Sequence, residues 1–351
     1  MSLNKLRREI DELDTRLLKL LNRRVRIALE IARAKRKQGE ARYCPDREKQ
    51  ILNRLQRINP GPLSPVAIEA IYREIMSSSL AQENPLVVAY LGPEASFTYQ
   101  AALKKFGSQV VYVPSNSITE VFVEVEKGSA DYGVVPIENS IEGAITHTLD
   151  MFVDSDLKIC AQIILEISHN LLANCPKTKI SSIYSNPQVF AQCRRWLERN
   201  LVTAEKVEVS STARAAQLAA KEKNSACIAS LSAARIYKLK LIVRDIEDSP
   251  HNITRFLVIS KHEINPTGSD RTSLLFSIKD KVGALHDMLI PFKKHRINLT
   301  MIESRPSKKK AWDYYFFVDL VGHYKDRNVK KALKELEGEC KFLKILGSYP
   351  V

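Results

Sequence analysis

The chain opens on an apolar stripe. Leu3, Leu6, Ile10, Leu13, Leu17 and Leu20 recur at alternating intervals of three and four, and no Gly or Pro interrupts residues 3–37. That spacing predicts one long helix, stopped at Gly39, with a seam of coiled-coil period. At 1.5 Å per residue it spans roughly 50 Å, more seam than its own helical neighbours can cover, so a dimer is expected. A second helix is expected after Pro45 and a third over about 64–80. The pattern then changes. Apolar runs at 87–91, 134–137, 183–184 and 207–209 read as strands. Each gives way to small or hydroxyl-bearing residues: Gly92-Pro93 with Ser96-Phe97-Thr98; Glu138-Asn139-Ser140; Ser185-Asn186-Pro187-Gln188; and Ser210-Ser211-Thr212-Ala213. Such turns serve as ordinary helix caps or offer N–H and hydroxyl groups to an anion. Repeated four times, they predict an α/β module with a cleft at its strand ends. The last stretch reads as strands at 272–279, 297–303, 312–321 and 341–347 with helices at 284–295 and 326–337, a βαββαβ order. Pro291, inside the first of those helices, is expected to kink it. Joints at Pro85 and at Asn265-Pro266-Thr267-Gly268-Ser269 divide the chain into 1–86, 87–265 and 270–351.

Composition narrows the class. With 351 residues, 44% hydrophobic and 27% charged, the chain reads as a globular protein of two or three domains, which excludes disordered, collagen-like and disulfide-stapled classes. No apolar run is long enough to span a membrane and the start has no apolar signal core. Six cysteines, at 44, 160, 175, 193, 227 and 340, form no CxxC pair and have no zinc-spaced histidines. They read as reduced thiols in a cytoplasmic protein, with no metal. The net charge of +14 is uneven: +9 over residues 1–57, −2 over 58–90, −1 over 91–270 and +8 over 271–351.

The first excess of positive charge bears on chemistry. The helical face running through Leu17 and Leu21 continues as Arg24, Ala28, Ile31 and Lys35, and backwards through Asp14 and Ile10 to Arg7. These cations either snorkel at the rim of the seam or are desolvated and await an anion. An exposed basic face would instead suit nucleic acid.

Leu6-Arg7-Arg8-Glu9-Ile10-Asp11, Asn22-Arg23-Arg24, Ala34-Lys35, Pro45-Asp46-Arg47-Glu48 and Ile71-Tyr72-Arg73-Glu74-Ile75-Met76 together resemble the all-helical class of chorismate mutase, over residues 1 to about 84. The resemblance implies three helices in an intertwined dimer. Arg24 and Arg7, the latter from a second copy, would hold the substrate carboxylates, and Lys35 would donate to the ether oxygen. Arg47 and Glu48 would orient the substrate, with Ser79 and Glu83 on the wall; a one-residue shift would give Ser78 and Gln82. Cys44 departs from the Asp common in the family.

The middle segment looks like prephenate dehydratase across roughly 88–262. The carriers are Gly92-Pro93, Ser96-Phe97-Thr98, Gly133 through Ser140, Ser211-Thr212-Ala213, Ala229-Ser230 and Asn252-Ile253-Thr254-Arg255-Phe256. The resemblance implies two α/β lobes, similar to periplasmic binding proteins, with crossings near 166 and 246. Thr254 would be the acid, with Arg255 and Phe256 shaping the ring site. Ser96, Thr98, Glu138, Asn139, Ser140, Ser185, Asn186, Gln188, Ser211, Thr212 and Ala213 would bind substrate. Asn186 departs from the His usual in that motif. No metal or organic cofactor is required.

Gly283-Ala284-Leu285 and Glu303-Ser304-Arg305-Pro306 resemble the two effector motifs of the ACT domain, which implies phenylalanine as feedback inhibitor, with Asn298 as a polar contact. Lys308-Lys309-Lys310 reads as a solvated hairpin loop. The combined expectation is a cytoplasmic bifunctional enzyme of phenylalanine biosynthesis, at least dimeric, acting on chorismate and prephenate, with no nucleic-acid or membrane partner. Its rivals are a catalytically dead ligand sensor and a basic nucleic-acid-binding regulator.

Overall fold

With no Gly or Pro to break it, the first stretch forms a single 36-residue helix, α1 (Leu3–Gln38). The computed structural model describes residues 2–38, 43–83, 85–278, 281–307 and 314–351, excluding the side chain of Glu83. The expected stop at Gly39 and the 308–310 loop fall outside these, as do the first two residues of the expected strand at 312–321. The chain divides into two compact units, Met1–Val87 with Phe106–Val111, and Val88–Lys105 with Tyr112–Val351.

In the first unit, α2 (Pro45–Ile58) starts on a proline at its first position, where the missing N–H costs nothing. The third helix, α3 (Pro65–Glu83), runs further than the apolar pattern indicates, past Leu80 to Glu83. Within one chain the six seam residues from Leu3 to Leu20 are 44–62% exposed.

The second unit begins with β1 (Val87–Leu91), α4 (Phe97–Phe106), β2 (Val111–Ser115), α5 (Ile118–Lys127), β3 (Tyr132–Asn139), the short β4 (Gly143–Ala144), α6 (Thr146–Asp154) and β5 (Lys158–Glu166). After Glu166 the chain crosses to a second lobe. There β6 (Asn170–Ala173), β7 (Ser182–Ser185), α7 (Pro187–Gln192), α8 (Arg194–Asn200), β8 (Glu205–Glu208), α9 (Thr212–Ala219), β9 (Ser225–Ala229), α10 (Leu231–Ile236) and β10 (Lys240–Val243) follow. The chain then returns as β11 (Ile253–Ser260) between β3 and β5. Lobe one has strand order β2-β1-β3-β11-β5 with β4 on β3, and lobe two has β10-β6-β9-β7-β8. Fully buried runs such as β9 explain why these strands read as apolar blocks rather than as alternations.

The last segment is β12 (Asp270–Ile278), α11 (Ala284–Lys294), β13 (Leu299–Pro306), β14 (Tyr314–Val321), α12 (Arg327–Glu339) and β15 (Cys340–Pro350), with strand order β13-β14-β12-β15. Its two helices cover one face of the sheet, where Met288, Phe292, Leu333 and Leu336 meet Leu274, Phe276 and Val318. Pro291 stays inside α11, buried in that core, and the helix continues past it. The other face docks on lobe one. A Cβ on Gly347 of β15 would stand 2.2 Å from the carbonyl oxygen of Ile159 in β5. Lys344 donates to the carbonyls of Phe152, Val153 and Ser155 at the end of α6, as suits a cation at a helix C-terminus.

Candidate active sites

The first site is a pocket of about 770 Å³ in the helical unit, lined by Arg24, Ala28, Ile31, Lys35, Cys44, Arg47, Glu48, Met76 and Ser79 among others. The i, i+4 and i+7 spacing of Arg24, Ala28 and Ile31 puts one face of α1 on the wall. Arg24 Nη1 donates to Ser79 Oγ at 2.9 Å, and Ser79 in turn donates to the carbonyl of Ile75. Burial pushes the Arg24 guanidinium below its usual range, with Tyr72 opposing. Among the described residues Arg24 has no carboxylate partner. Lys35 Nζ stands 2.9 Å from Cys44 Sγ, and buried Tyr43 donates to Glu48.

Arg24, Lys35, Arg47, Glu48 and Ser79 are thus brought together. Ser79 is buried, whereas Ser78 and Gln82 are exposed. Glu83 lies one turn beyond Ser79 on α3, and its side chain falls outside the described residues. Arg7 is not in this pocket: it is exposed, seventeen residues and about 25 Å up α1 from Arg24.

The second site is a cleft of about 930 Å³ between the two lobes. Ser96, Thr98, Asn139, Asn186, Gln188, Ser211, Thr212, Thr254 and Phe256 line it. Most sit at strand-to-helix turns, where their backbone roles are ordinary caps. Asn186, Ser211 and Ser96 accept from the N–H groups of Val189, Arg214 and Tyr99. Gly92 is needed on steric grounds, since a Cβ there would meet Pro114 Cβ at 2.9 Å.

Five expected residues do not line the cleft. Strand alternation sends Thr254 and Phe256 to one face and Arg255 to the other. Arg255 is therefore not part of the ring site; it is buried against Asp319 and Tyr349 of the last sheet. Glu138 faces Arg255. Ser140 braces the return crossing, donating to the carbonyl of His251 and accepting from Ile253 N–H. Ser185 is fully buried and bonds the carbonyl of Ile228, while Ala213 packs in the core of lobe two.

Hydrogen bonds around Thr254 have a defined direction. Asn139 Oδ1 accepts the N–H groups of Ile141 and Glu142, which fixes its Nδ2 as the donor. That nitrogen donates to Asn252 Oδ1 at 2.7 Å and to Thr254 Oγ1 at 2.8 Å. Asn252 Nδ2 then donates to Gln192 Oε1, and Gln192 Nε2 to Glu142. His169 Nε2 also donates to Gln192 Oε1, at 2.8 Å. Because Thr254 Oγ1 accepts from Asn139, its own hydrogen is left to point elsewhere. Burial lowers the pKa of His169, with Gln192 and Glu247 opposing, so the ring stays neutral. Glu142, His169, Gln192 and Asn252 escaped the sequence reading as site residues. Gln192 carried one usable signal, lying one helical turn beyond Gln188.

The effector stretches sit on separate elements. Gly283 adopts a left-handed φ of 79° just before α11 and Ala284 is buried, while Leu285 is half-exposed. Asn298 is exposed and its carbonyl accepts from Val321 N–H. Glu303, Ser304 and Pro306 lie along β13 with Ser304 and Pro306 exposed. Arg305 forms a two-pronged pair with Asp150 of α6, at 3.3 and 3.2 Å.

A cationic helical pocket, a separate two-lobed cleft of neutral donors and a docked βαββαβ module define the class: an enzyme with two sites and a regulatory domain. The comparisons agree on each part. Residues 6–84 match the chorismate mutase type II family, 88–264 prephenate dehydratase and 272–338 the ACT domain. A bifunctional chorismate mutase/prephenate dehydratase of Aquifex aeolicus is 50% identical over 99% of this chain and 98% of that protein. That of Pseudomonas aeruginosa is 48% identical over 99% and 97%. Among solved structures, a prephenate dehydratase from Arthrobacter aurescens in complex with L-Phe aligns with TM-score 0.71 at 31% identity, covering 76% of this chain and 90% of that one. The chain belongs to the bifunctional chorismate mutase/prephenate dehydratase family.

Proposed function

We propose the following division of labour. In the helical pocket, chorismate rearranges to prephenate by a pericyclic step needing no nucleophile and no proton transfer. The pocket holds the compact conformer and stabilises negative charge developing on the ether oxygen. Arg24 binds a carboxylate, Lys35 donates to the ether oxygen, and Arg47, Glu48 and Ser79 orient the ring, with Glu83 on the same wall. Arg7 of a second copy completes the site. The exposed seam of α1 supports that homodimer, since an apolar stripe of this length needs a cover.

In the cleft, prephenate loses CO₂ and its ring hydroxyl. The electrons of the breaking C–carboxylate bond aromatise the ring, and the hydroxyl leaves as water once protonated. Thr254 supplies that proton and regains one from solvent. A single observation carries this reading: the Asn139 amide, locked as a donor, occupies a lone pair of Thr254 Oγ1 and leaves the hydroxyl proton available for donation. Ser96, Thr98, Asn186, Gln188, Ser211 and Thr212 hold the two carboxylates, and Phe256 packs the ring.

The last segment, 270–351, binds L-phenylalanine through Gly283–Leu285, Asn298 and Glu303–Pro306, and closes the feedback loop on the 87–265 dehydratase; residues 1–86 are the mutase. The L-Phe complex of the Arthrobacter aurescens protein supports this. A cytoplasmic location is supported by Cys160, Cys175, Cys193 and Cys227, which form no disulfide; among the described residues no helix is long and apolar enough to cross a membrane. Incubating the purified protein with chorismate, and following prephenate and phenylpyruvate separately with and without phenylalanine, tests the whole scheme. Absence of either product, or indifference to phenylalanine, removes the corresponding part.

A further inference from the structure

Arg255 sits beside the proposed acid yet faces away from the cleft. It enters the seam between lobe one and the regulatory sheet, buried to 8% exposure against Asp319 at 1%. Its guanidinium donates to the Asp319 carboxylate, to Tyr349 Oη at 3.1 Å and to Glu138 at 3.5 Å. Ser273 Oγ donates to the other Asp319 oxygen at 2.5 Å and lies 2.8 Å from Tyr349 Oη. Three strands of the regulatory sheet, β12, β14 and β15, therefore converge on one side chain of the catalytic strand. Burial opposes the charge on Arg255, but Tyr349, Asp319 and Glu138 together hold it above its usual range.

Stability alone does not account for such a pair. Replacing a buried ion pair with apolar residues is often neutral or stabilising, whereas leaving one half unpaired is strongly destabilising. What the pair does supply is a fixed seat. Its position gives that seat a consequence. In the β3–β11 ladder Thr254 is opposite Asn139 and Arg255 is opposite Glu138. The network thus grips the residues next to both the proton donor and the amide that orients it. The same sheet reaches lobe one a second time through Arg305 and Asp150 on α6, and Thr148 of α6 bonds the carbonyl of cleft-lining Pro136 at 2.6 Å.

We propose that Arg255 and Asp319 form a charge clamp through which the regulatory sheet positions Thr254, so that the effector controls dehydration by reseating that clamp. Arg255 is a positioning residue, and the proposal rests on the reading of Thr254 as acid.

The test uses the full chain carrying Asp319→Asn, which keeps shape and removes charge. Dehydratase kcat should fall about tenfold to a hundredfold while KM stays within about threefold, as for a misplaced catalytic group. Calorimetry should still detect phenylalanine, but saturating phenylalanine should barely inhibit. A folded Asp319→Asn protein with native kcat and full inhibition overturns the clamp. Should that variant not fold, Tyr349→Phe decides by the same two readings: a reduced kcat with blunted inhibition supports the clamp, and native values for both overturn it. Thr254→Ala is measured in parallel. If it retains dehydratase activity, the acid assignment fails. If it is inactive while Asp319→Asn behaves natively, the clamp alone fails.

Discussion

The two sites solve opposite electrostatic problems with opposite materials. The helical pocket presents cations on an apolar helix face, Arg24 bonded only to a serine hydroxyl among its described partners and Lys35 beside a thiol. The cleft presents amides and hydroxyls whose hydrogen bonds run in one direction, from Asn139 through Asn252 and Gln192 to Glu142. A pericyclic rearrangement needs only fixed positive charge near a developing anion. Loss of hydroxide needs a proton delivered to one oxygen. Fixed charge serves the first, and an oriented neutral donor the second. On the proposed reading the pocket also takes Arg7 from a second copy, whereas the residues that line the cleft all come from one chain.

The sharpest way to break the contrast is at Thr254. Thr254→Ala should cost about 10²–10⁴-fold in dehydratase turnover and leave mutase activity within a few-fold, with Thr254→Ser retaining most of it; parallel loss of both activities in a folded variant would end the two-site reading. Lys35→Ala should remove about 10²–10³-fold of mutase turnover, the scale of a lost charge-stabilising donor. Dehydratase assayed with prephenate should not change.

A finer test targets the direction of the hydrogen bonds. A carboxylate at 139 cannot donate, so Thr254 would turn its proton towards it. Asn139→Asp should therefore lower dehydratase kcat about tenfold to a hundredfold with a small change in KM, since a charged acceptor outcompetes a neutral one. Native turnover would show that the amide's donor role is irrelevant. Away from the chemistry, Gly347→Ala should destabilise the dehydratase–regulatory unit by about 1–3 kcal/mol in a thermal melt, because the added Cβ meets backbone rather than a movable side chain.

The smallest effect is on pH. His169 is held neutral, its pKa lowered chiefly by burial. The unfolded chain binds a proton at about pH 6.5 that the folded chain refuses, so stability falls as pH drops below that value towards the lowered folded pKa. His169→Asn should flatten this acid-side slope, and an unchanged slope would place the titration elsewhere.

The sequence by itself determined the long first helix and several of the strand ends with their polar caps. An uninterrupted apolar stripe can only be a long helix, and i, i+4 spacing on α1 already placed Arg24 among Ala28 and Ile31. Apolar runs followed by hydroxyl-bearing caps likewise announced the strand ends on which Ser96, Asn186 and Ser211 sit. These are local rules, set by backbone geometry within a few residues. Tertiary structure decided the rest. A motif read as a block put Thr254, Arg255 and Phe256 into one site, whereas the pleat divides them between two faces, and only the docked sheet shows what Arg255 meets. Asn139 and Asn252 are 113 residues apart, and Arg255 and Tyr349 are 94 apart. No periodicity carries such pairings, because a hydrogen bond's direction depends on which partners the folded chain brings to each end of the amide.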